Sequence, residues 1–257
     1  MKLIQSSHNP SYRELLRLSQ GKGGDGQVLL EGVHLCQEWL RHCGLPELAV
    51  FDTERLEQQA ELQALREQAA GVPMLACPPS LIKGLAQVKA PQGVFFVVCV
   101  QAPALPAAIE ANSLWLDRIQ DPGNMGTLLR TAAAAGVGQV YASAGCADAW
   151  SPKVLRAAQG AHFALQLYEK VDLPALCERL RVPLLATSLE QAGSLYEGGL
   201  PASCAWVFGN EGQGVQAELL ARADRRVFIP QAAGVESLNV TVAAGICLFE
   251  QRRRHSA

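Results

Sequence analysis

Ser113-Leu114-Trp115-Leu116-Asp117 leads through Asp121-Pro122-Gly123 into Asn124-Met125-Gly126-Thr127-Leu128-Leu129-Arg130. A short apolar run bounded by turn formers reads as a buried strand, and the periodic segment after the turn reads as a helix. The same grammar returns twice. Cys204-Ala205-Trp206-Val207-Phe208 leads into Gly209-Asn210-Glu211-Gly212-Gln213-Gly214, and Arg226-Val227-Phe228-Ile229 leads through Pro230 to Glu236-Ser237-Leu238-Asn239. An open α/β sheet gathers its ligands just beyond its strands, so three such loops at one sheet edge predict a site.

Outward from these segments the pattern keeps alternating. Toward the C-terminus it predicts a helix over 125–135 ended by Gly136, a strand over 139–142, and a helix opened by Ser151-Pro152 and closed by Gly160. Further strands are expected over 162–167 and 182–187, with a last helix capped by Ser237 and running to the arginines. Toward the N-terminus it predicts a helix over 9–18, a glycine-rich loop over 21–26, a strand over 28–30 and a helix through Leu40. A strand over 48–51, a long helix to Ala70, and strands over 72–76 and 94–100 follow. Gln101-Ala-Pro-Ala-Leu-Pro-Ala-Ala108 is proline-rich and aperiodic, as a linker is. The expected organisation is therefore a domain over 1–100, a linker over 101–110 and a second α/β domain over 111–257 with a mostly parallel sheet.

Composition bounds the function. The chain has 257 residues, 49% hydrophobic and 18% charged, which suits globular domains rather than disorder. No apolar stretch reaches the length of a membrane span, and the N-terminus lacks the apolar region and small-residue cleavage site of a secretion signal. Its eight cysteines include no Cys-x-x-Cys pair, which predicts reduced thiols in a cytoplasmic protein and no metal site. The net charge of -2 argues mildly against nucleic acid, whose affinity comes largely from Lys and Arg. Distribution offsets the sum, because Arg13, Arg17 and Lys22 gather near one terminus and Arg252, Arg253 and Arg254 near the other.

In order and spacing the three loop segments resemble the three motifs of the SpoU (TrmH) family of RNA ribose 2′-O-methyltransferases, within the SPOUT superfamily. Ser7-His8-Asn9-Pro10 and Leu29-Leu30-Glu31-Gly32-Val33-His34 resemble the substrate-binding domain that precedes many of these catalytic domains. The resemblance implies an α/β-knot catalytic domain, threaded as a deep trefoil knot against the general avoidance of knots. A smaller L30e/L7Ae-like α/β domain would precede it. Periodicity alone predicts only an ordinary doubly wound sheet. The resemblance further implies S-adenosyl-L-methionine as cofactor, no metal, ribosomal or transfer RNA as partner, and a homodimer with its sites close to the interface. Leu238, Val242, Gly245, Ile246 and Phe249 of the last helix could serve that contact or ordinary core packing.

Methyl transfer to a ribose 2′-hydroxyl is an in-line displacement whose leaving group departs neutral, so the difficulty lies in the hydroxyl's proton and in alignment. A guanidinium stays protonated near neutrality, so Arg130 is read as holding the target phosphate and stabilising the developing alkoxide rather than as a base. Asn124 presents an amide and can also cap its helix. Glu211 offers a carboxylate, while Ser237 and Asn239 match the family's Ser-Leu-Asn and supply a hydroxyl and an amide. Cofactor contacts are implied at Gly209, Asn210, Gly214, Ile229 and Leu238, with the glycines allowing close approach and positive φ. Arg13, Arg17, Lys22 and the loop over 21–26 are the candidates for guiding RNA, with Tyr12 as a stacking residue. His34 is read as fixing a helix start.

The chain departs from the family in one loop, with Gln231 where Met is usual and Ala233 where Gly is usual. If φ is positive at Ala233, the cofactor loop is strained. That departure is the only support for an alternative reading as a catalytically silent RNA-binding protein. A nicotinamide-dependent oxidoreductase is disfavoured because no Gly-x-Gly-x-x-Gly follows an early strand.

Overall fold

The computed structural model describes residues 1–235 and 237–255, so Glu236 of the third segment lies outside the described residues. The chain divides into two units. One comprises Met1–Gln101 together with Trp150–Phe163, and the other comprises Ala102–Ala149 together with Ala164–Ala257.

The first unit contains β1 (Lys2–Leu3), α1 (Pro10–Ser19), β2 (Gln27–Glu31), α2 (Val33–His42), β3 (Leu48–Asp52), α3 (Thr53–Gln58), α4 (Ala60–Gln68), β4 (Met74–Cys77), α5 (Pro79–Leu85) and β5 (Val94–Cys99). Its sheet has the order β1-β4-β3-β5-β2 and mixes parallel with antiparallel pairs. The expected single helix to Ala70 is two helices. Gln59 is extended at φ -115 and ψ 114, and Asp52 caps the first helix by accepting from the N–H groups of Glu54 and Arg55. The short helix α5, absent from the expected elements, follows from Pro79 at its first position.

The second unit begins with β6 (Ser113–Asp117), α6 (Pro122–Ala135) and β7 (Gln139–Ser143). The next helix, α7 (Pro152–Ala158), packs in the first unit: Leu155 joins the core of Leu30, Trp39 and Phe96, and Trp39 meets Phe163 edge-on at 5.3 Å. The segment over 150–163, expected within the second domain, thus groups with the first unit. Local periodicity shows that α7 has an apolar face, not which sheet that face covers.

The chain then resumes the second unit with β8 (Gln166–Val171), α8 (Leu173–Leu176), β9 (Leu184–Thr187), β10 (Gly193–Ser194), β11 (Ala205–Gly209), α9 (Ala217–Arg222), β12 (Arg225–Phe228) and α10 (Val240–His255). The strand expected over 162–167 begins only at Gln166, because residues 161–164 form a 3₁₀ turn. The seven strands take the order β10-β12-β9-β11-β6-β7-β8, and every neighbouring pair is parallel. Central parallel strands are buried on both faces, which explains why all five residues of β6 and of β11 are apolar or buried. Trp115, Tyr141 and Tyr168 fill one face, the two tyrosine rings stacking at 4.6 Å.

Strand order also locates the site. From β6 the chain moves outward through β7 and β8, returns to β9, and later inserts β11 between β9 and β6. The carboxyl ends of β6 and β11 thus border a topological switch point, where open α/β sheets bind ligands.

Candidate functional site at the ends of three parallel strands

The last residues of β6 and β11, Asp117 and Gly209, are register partners. Asp117 is fully buried, and its carboxylate accepts from Arg118 Nε at 3.1 Å, Arg118 Nη2 at 3.2 Å and Gln216 N at 2.8 Å. Arg118 holds φ 57, a left-handed conformation that L side chains adopt at a cost. From there its Nη1 donates to Gln213 Oε1 at 2.8 Å, and its carbonyl accepts from Asn210 Nδ2 at 3.0 Å. These bonds fasten the loop after β11 to the end of β6.

The loop also closes on itself. Asn210 Oδ1 accepts from the N–H groups of Gly212 and Gln213, each at 3.0 Å, and Gly214 N donates to Asn210 O at 2.8 Å. A Cβ at Gly209 would collide with the backbone of Gly214 and Val215, so that glycine is required by the loop's own closure. Gly214 has φ +70, whereas Gly209 and Gly212 lie outside the left-handed region. Positive φ therefore serves one of the three glycines and not the others.

At the end of β6, Asp121 caps α6 by accepting from Asn124 N at 2.8 Å, with Pro122 at the first helical position. Asn124 is thus not the cap, and its side chain is free to reach outward. Its Nδ2 donates to Glu211 Oε1 at 3.0 Å, and its Oδ1 accepts from Asn239 Nδ2 at 3.2 Å. Asn239, not Ser237, caps α10: its Oδ1 accepts from Thr241 N at 2.8 Å and from Thr241 Oγ1 at 2.6 Å. One chain of amide hydrogen bonds, Asn239 to Asn124 to Glu211, joins the loops after β12, β6 and β11.

Glu211 also accepts longer bonds from Asp121 N and Gln120 N, at the start of α6. Burial by itself would raise its carboxyl, but the hydrogen bond from Asn124 and the backbone N–H groups outweigh it and hold the group below the ordinary carboxylate range. A negative charge beside a helix N-terminus is electrostatically favoured as well. The result is a fixed, ionised acceptor.

Arg130 is exposed on α6 and, among the described residues, makes no hydrogen bond or ion pair. It lies six residues, about 9 Å of helix rise, beyond Asn124, and the hydrogen-bonded cluster does not include it. Ser237 is exposed and likewise has no hydrogen bond among the described residues. Ile229 is buried and Leu238 half-buried on the loop after β12. Ala233 lies outside the left-handed region, and Gly234 beside it takes φ +86. The strain that a positive φ at Ala233 would have brought is absent because the conformational demand falls one residue later, on a glycine.

The same loop offers a test of the implied cofactor. Gln231 Oε1 is a buried acceptor with no partner among the described residues, and a buried unpaired acceptor is costly. The exocyclic amine of an adenosyl group would satisfy it. With the backbone exposed at Gly214 and Gly234, the residues present fit S-adenosylmethionine. Among the described residues no cluster of His, Cys, Asp and Glu could hold a metal ion.

The candidate RNA contacts fare unevenly. Arg17 Nη1 donates to Glu14 at 2.9 Å, and Arg13 Nη2 lies 3.2 Å from His8 Nδ1. Lys22 is exposed. Tyr12 is a core residue whose hydroxyl donates to Leu81 O at 2.9 Å, so it is not a surface stacking platform. At the other terminus Arg253 and Arg254 both bind Glu250, which they hold down to about 2, and Arg254 also donates to the carbonyls of Leu195 and Tyr196. Much of that basic cluster clamps α10 in place.

Sequence reasoning missed Asp117, Arg118, Asp121 and Gln213. Asp121 had a signal, since Asp before Pro is a familiar helix start. Arg118 had none, because its role depends on a backbone conformation that its residue type disfavours.

A model of the family described as SpoU rRNA Methylase matches residues 111–249. An uncharacterized tRNA/rRNA methyltransferase of Synechocystis sp. is 36% identical over 99% of this chain and 94% of its own. The 23S rRNA (guanosine(2553)-2′-O)-methyltransferase RlmP of Bacillus subtilis is 33% identical over 98% of this chain and 100% of its own. The AdoMet-bound crystal structure of an rRNA methyltransferase from Sinorhizobium meliloti superposes with a TM-score of 0.85 at 27% identity, covering 100% of this chain and 99% of that one.

Proposed function

Since the chain belongs to the SpoU rRNA methylase family, we propose that its three-loop site methylates a ribose 2′-hydroxyl of structured RNA, with ribosomal RNA as the substrate class. The observation that carries this reading is the Asn239–Asn124–Glu211 chain, which ties together the loops after three strands at the switch point.

S-adenosylmethionine, when bound, supplies an electrophilic methyl group. Gly209, Asn210, Gly214, Ile229 and Leu238 would hold it, with Gln231 as an acceptor for its adenine amine. Asn124 and Asn239 act as positioning residues, because their amides are occupied with each other, with Glu211 and with the cap of α10. Glu211 fixes Asn124 and the start of α6. Arg130 keeps its charge free for the target phosphate and for the negative charge that develops on the 2′-oxygen, and the Ser237 hydroxyl is free to orient the ribose. The proton of the 2′-hydroxyl passes to phosphate or water.

The first unit is assigned to RNA binding through Arg13, Arg17 and Lys22, in the manner of an L30e/L7Ae-like domain. Assembly as a homodimer is supported by α10, which buries Ala244, Cys247 and Leu248 yet leaves Val242 and Phe249 49% and 46% exposed, with Ile246 half-buried between them. A trefoil knot around the loop after β12 accords with the insertion of β11 between β9 and β6. A cytoplasmic location accords with eight unpaired cysteines, and no helix among the described residues is long and apolar enough to cross a membrane. The catalytically silent alternative is not favoured, since its only support was strain at Ala233. Mapping 2′-O-methylation in total RNA from cells with and without the protein tests the reading: a ribosomal site that disappears supports it, and an unchanged map contradicts it.

A further inference from the structure

The first unit contains a cavity of about 390 Å³, within the size range of small-ligand sites. Leu29 and Leu35 give it an apolar wall, and α7 contributes Leu155 and Arg156. Two polar groups there are incompletely used. Glu31 Oε2 accepts from Gln87 N at 3.0 Å, but Glu31 Oε1 is buried with no partner among the described residues. The Arg156 guanidinium, exposed at the rim, makes no hydrogen bond or ion pair among the described residues. Burial raises the Glu31 carboxyl, with the backbone N–H of Gln87, the charge of Arg156 and the backbone N–H of Val88 acting in the opposite direction.

A ligand that completes this cavity needs an apolar body, an N–H donor for Glu31 and a negative charge for Arg156. A nucleotide has all three. Guanine presents N1–H and N2–H side by side, matching a carboxylate. Adenine and cytosine offer one amine beside a ring acceptor, and uracil flanks its N3–H with two carbonyls that a carboxylate repels. We propose that this cavity takes up one unstacked guanine of the RNA substrate, its Watson–Crick edge on Glu31 and its phosphate on Arg156, as a recognition pocket separate from the methyl-transfer loops. The proposal rests on the RNA-methyltransferase reading.

The test uses the full-length protein and fluorescent uridine heptamers with or without a single central guanosine. The guanosine oligomer should bind at least ten-fold more tightly. Glu31→Gln should reduce that preference below three-fold without lowering the melting temperature, because it removes a partly buried charge. Arg156→Gln should weaken both oligomers alike and lower the slope of log affinity against log salt by about one. Val88→Trp, which fills the cavity from its rim, should abolish the preference if Glu31→Gln folds poorly. An unchanged preference in folded Glu31→Gln or Val88→Trp overturns the pocket, as does no preference in the parent protein. Free guanosine 5′-monophosphate binding as tightly as the oligomer overturns an RNA residue as the occupant. Cofactor binding and methyl transfer, measured on the same preparations, separate the two claims: transfer without guanine preference sinks only the pocket, whereas absence of both cofactor binding and transfer sinks the functional reading.

Discussion

Asn124 and Glu211, 87 positions apart in the chain, are joined by a 3.0 Å hydrogen bond from Nδ2 to Oε1. The bond spans the gap between the loop after β6 and the loop after β11, and Asn239 extends it to the loop after β12. Removing the charge and one of the two carboxylate acceptors, which leaves an NH2 facing the donors of Asn124, Gln120 and Asp121, should therefore loosen three loops together. Glu211→Gln should lower methyl transfer by about 10- to 100-fold, a misplacement effect, with cofactor affinity changed by a few-fold at most. Steady-state kinetics with cofactor calorimetry checks this, and near-normal turnover would remove the carboxylate from the positioning network.

The same residue predicts a pH dependence of stability. Its folded-state carboxyl lies below the ordinary range, so the folded protein binds that proton less readily than the unfolded chain. The stabilisation is complete above the unfolded-chain value of about 4.3 and fades as pH falls through the lower folded value. Glu211→Gln should accordingly lower the melting temperature more at pH 7 than at pH 3. An equal decrease at both values would mean that the charge is not what stabilises the loop.

Arg118 supports the site from beneath. Arg118→Ala leaves the buried Asp117 carboxylate with only Gln216 as a partner and frees Gln213. The expected cost is about 1–2 kcal/mol, below that of a fully buried pair because the guanidinium is partly exposed. Cofactor binding should weaken at least ten-fold as the loop over 210–214 loses its anchor. Normal cofactor affinity in a destabilised variant would confine Arg118 to folding.

The loop after β12 divides into a tolerant and an intolerant position. Ala233→Gly should leave cofactor affinity unchanged and reduce stability by a few tenths to about 1 kcal/mol, because φ is not positive there. Gly234→Ala should cost about 1–2 kcal/mol and weaken binding, because φ is +86 and strain follows even though the Cβ would meet no neighbouring atom. Calorimetry and thermal melts on both variants decide, and tighter binding by Ala233→Gly would contradict the assignment.

A fragment over 102–257 should be poorly soluble. It would carry Trp150, Leu155 and Phe163 without the first-unit core on which they pack, and apolar surface left exposed promotes association. A monodisperse, cooperatively melting fragment would show that the segment over 150–163 does not depend on the first unit.

The strands of the second unit were legible because central parallel strands carry continuous apolar runs, as Leu114–Leu116 and Ala205–Phe208 do. The loops were legible as motifs, since Asn124, Glu211 and Asn239 do converge. What stayed hidden depends on tertiary context. Nothing local assigns Leu155 to the first unit's core, makes Asn239 rather than Ser237 the cap of α10, or puts Tyr12 inside. Nor does the residue type of Arg118 announce a left-handed backbone. The split at Gln59 was missed because the sequence on both sides is equally helical.

Ribose methylation by the three-loop site is measured by transfer of a labelled methyl group from S-adenosylmethionine to ribosomal RNA, followed by nuclease digestion and mass spectrometry, with Arg130→Ala in parallel. Arg130 is exposed and has no hydrogen bond or ion pair among the described residues, so the variant should keep its melting temperature and bind cofactor within a few-fold. The parent protein should yield a 2′-O-methylated nucleoside and the variant a rate at least 100-fold lower, since a charged contact to a reacting oxygen is worth about 3 kcal/mol or more. A methyl group on a base, no transfer by the parent protein, or undiminished transfer by Arg130→Ala would contradict it.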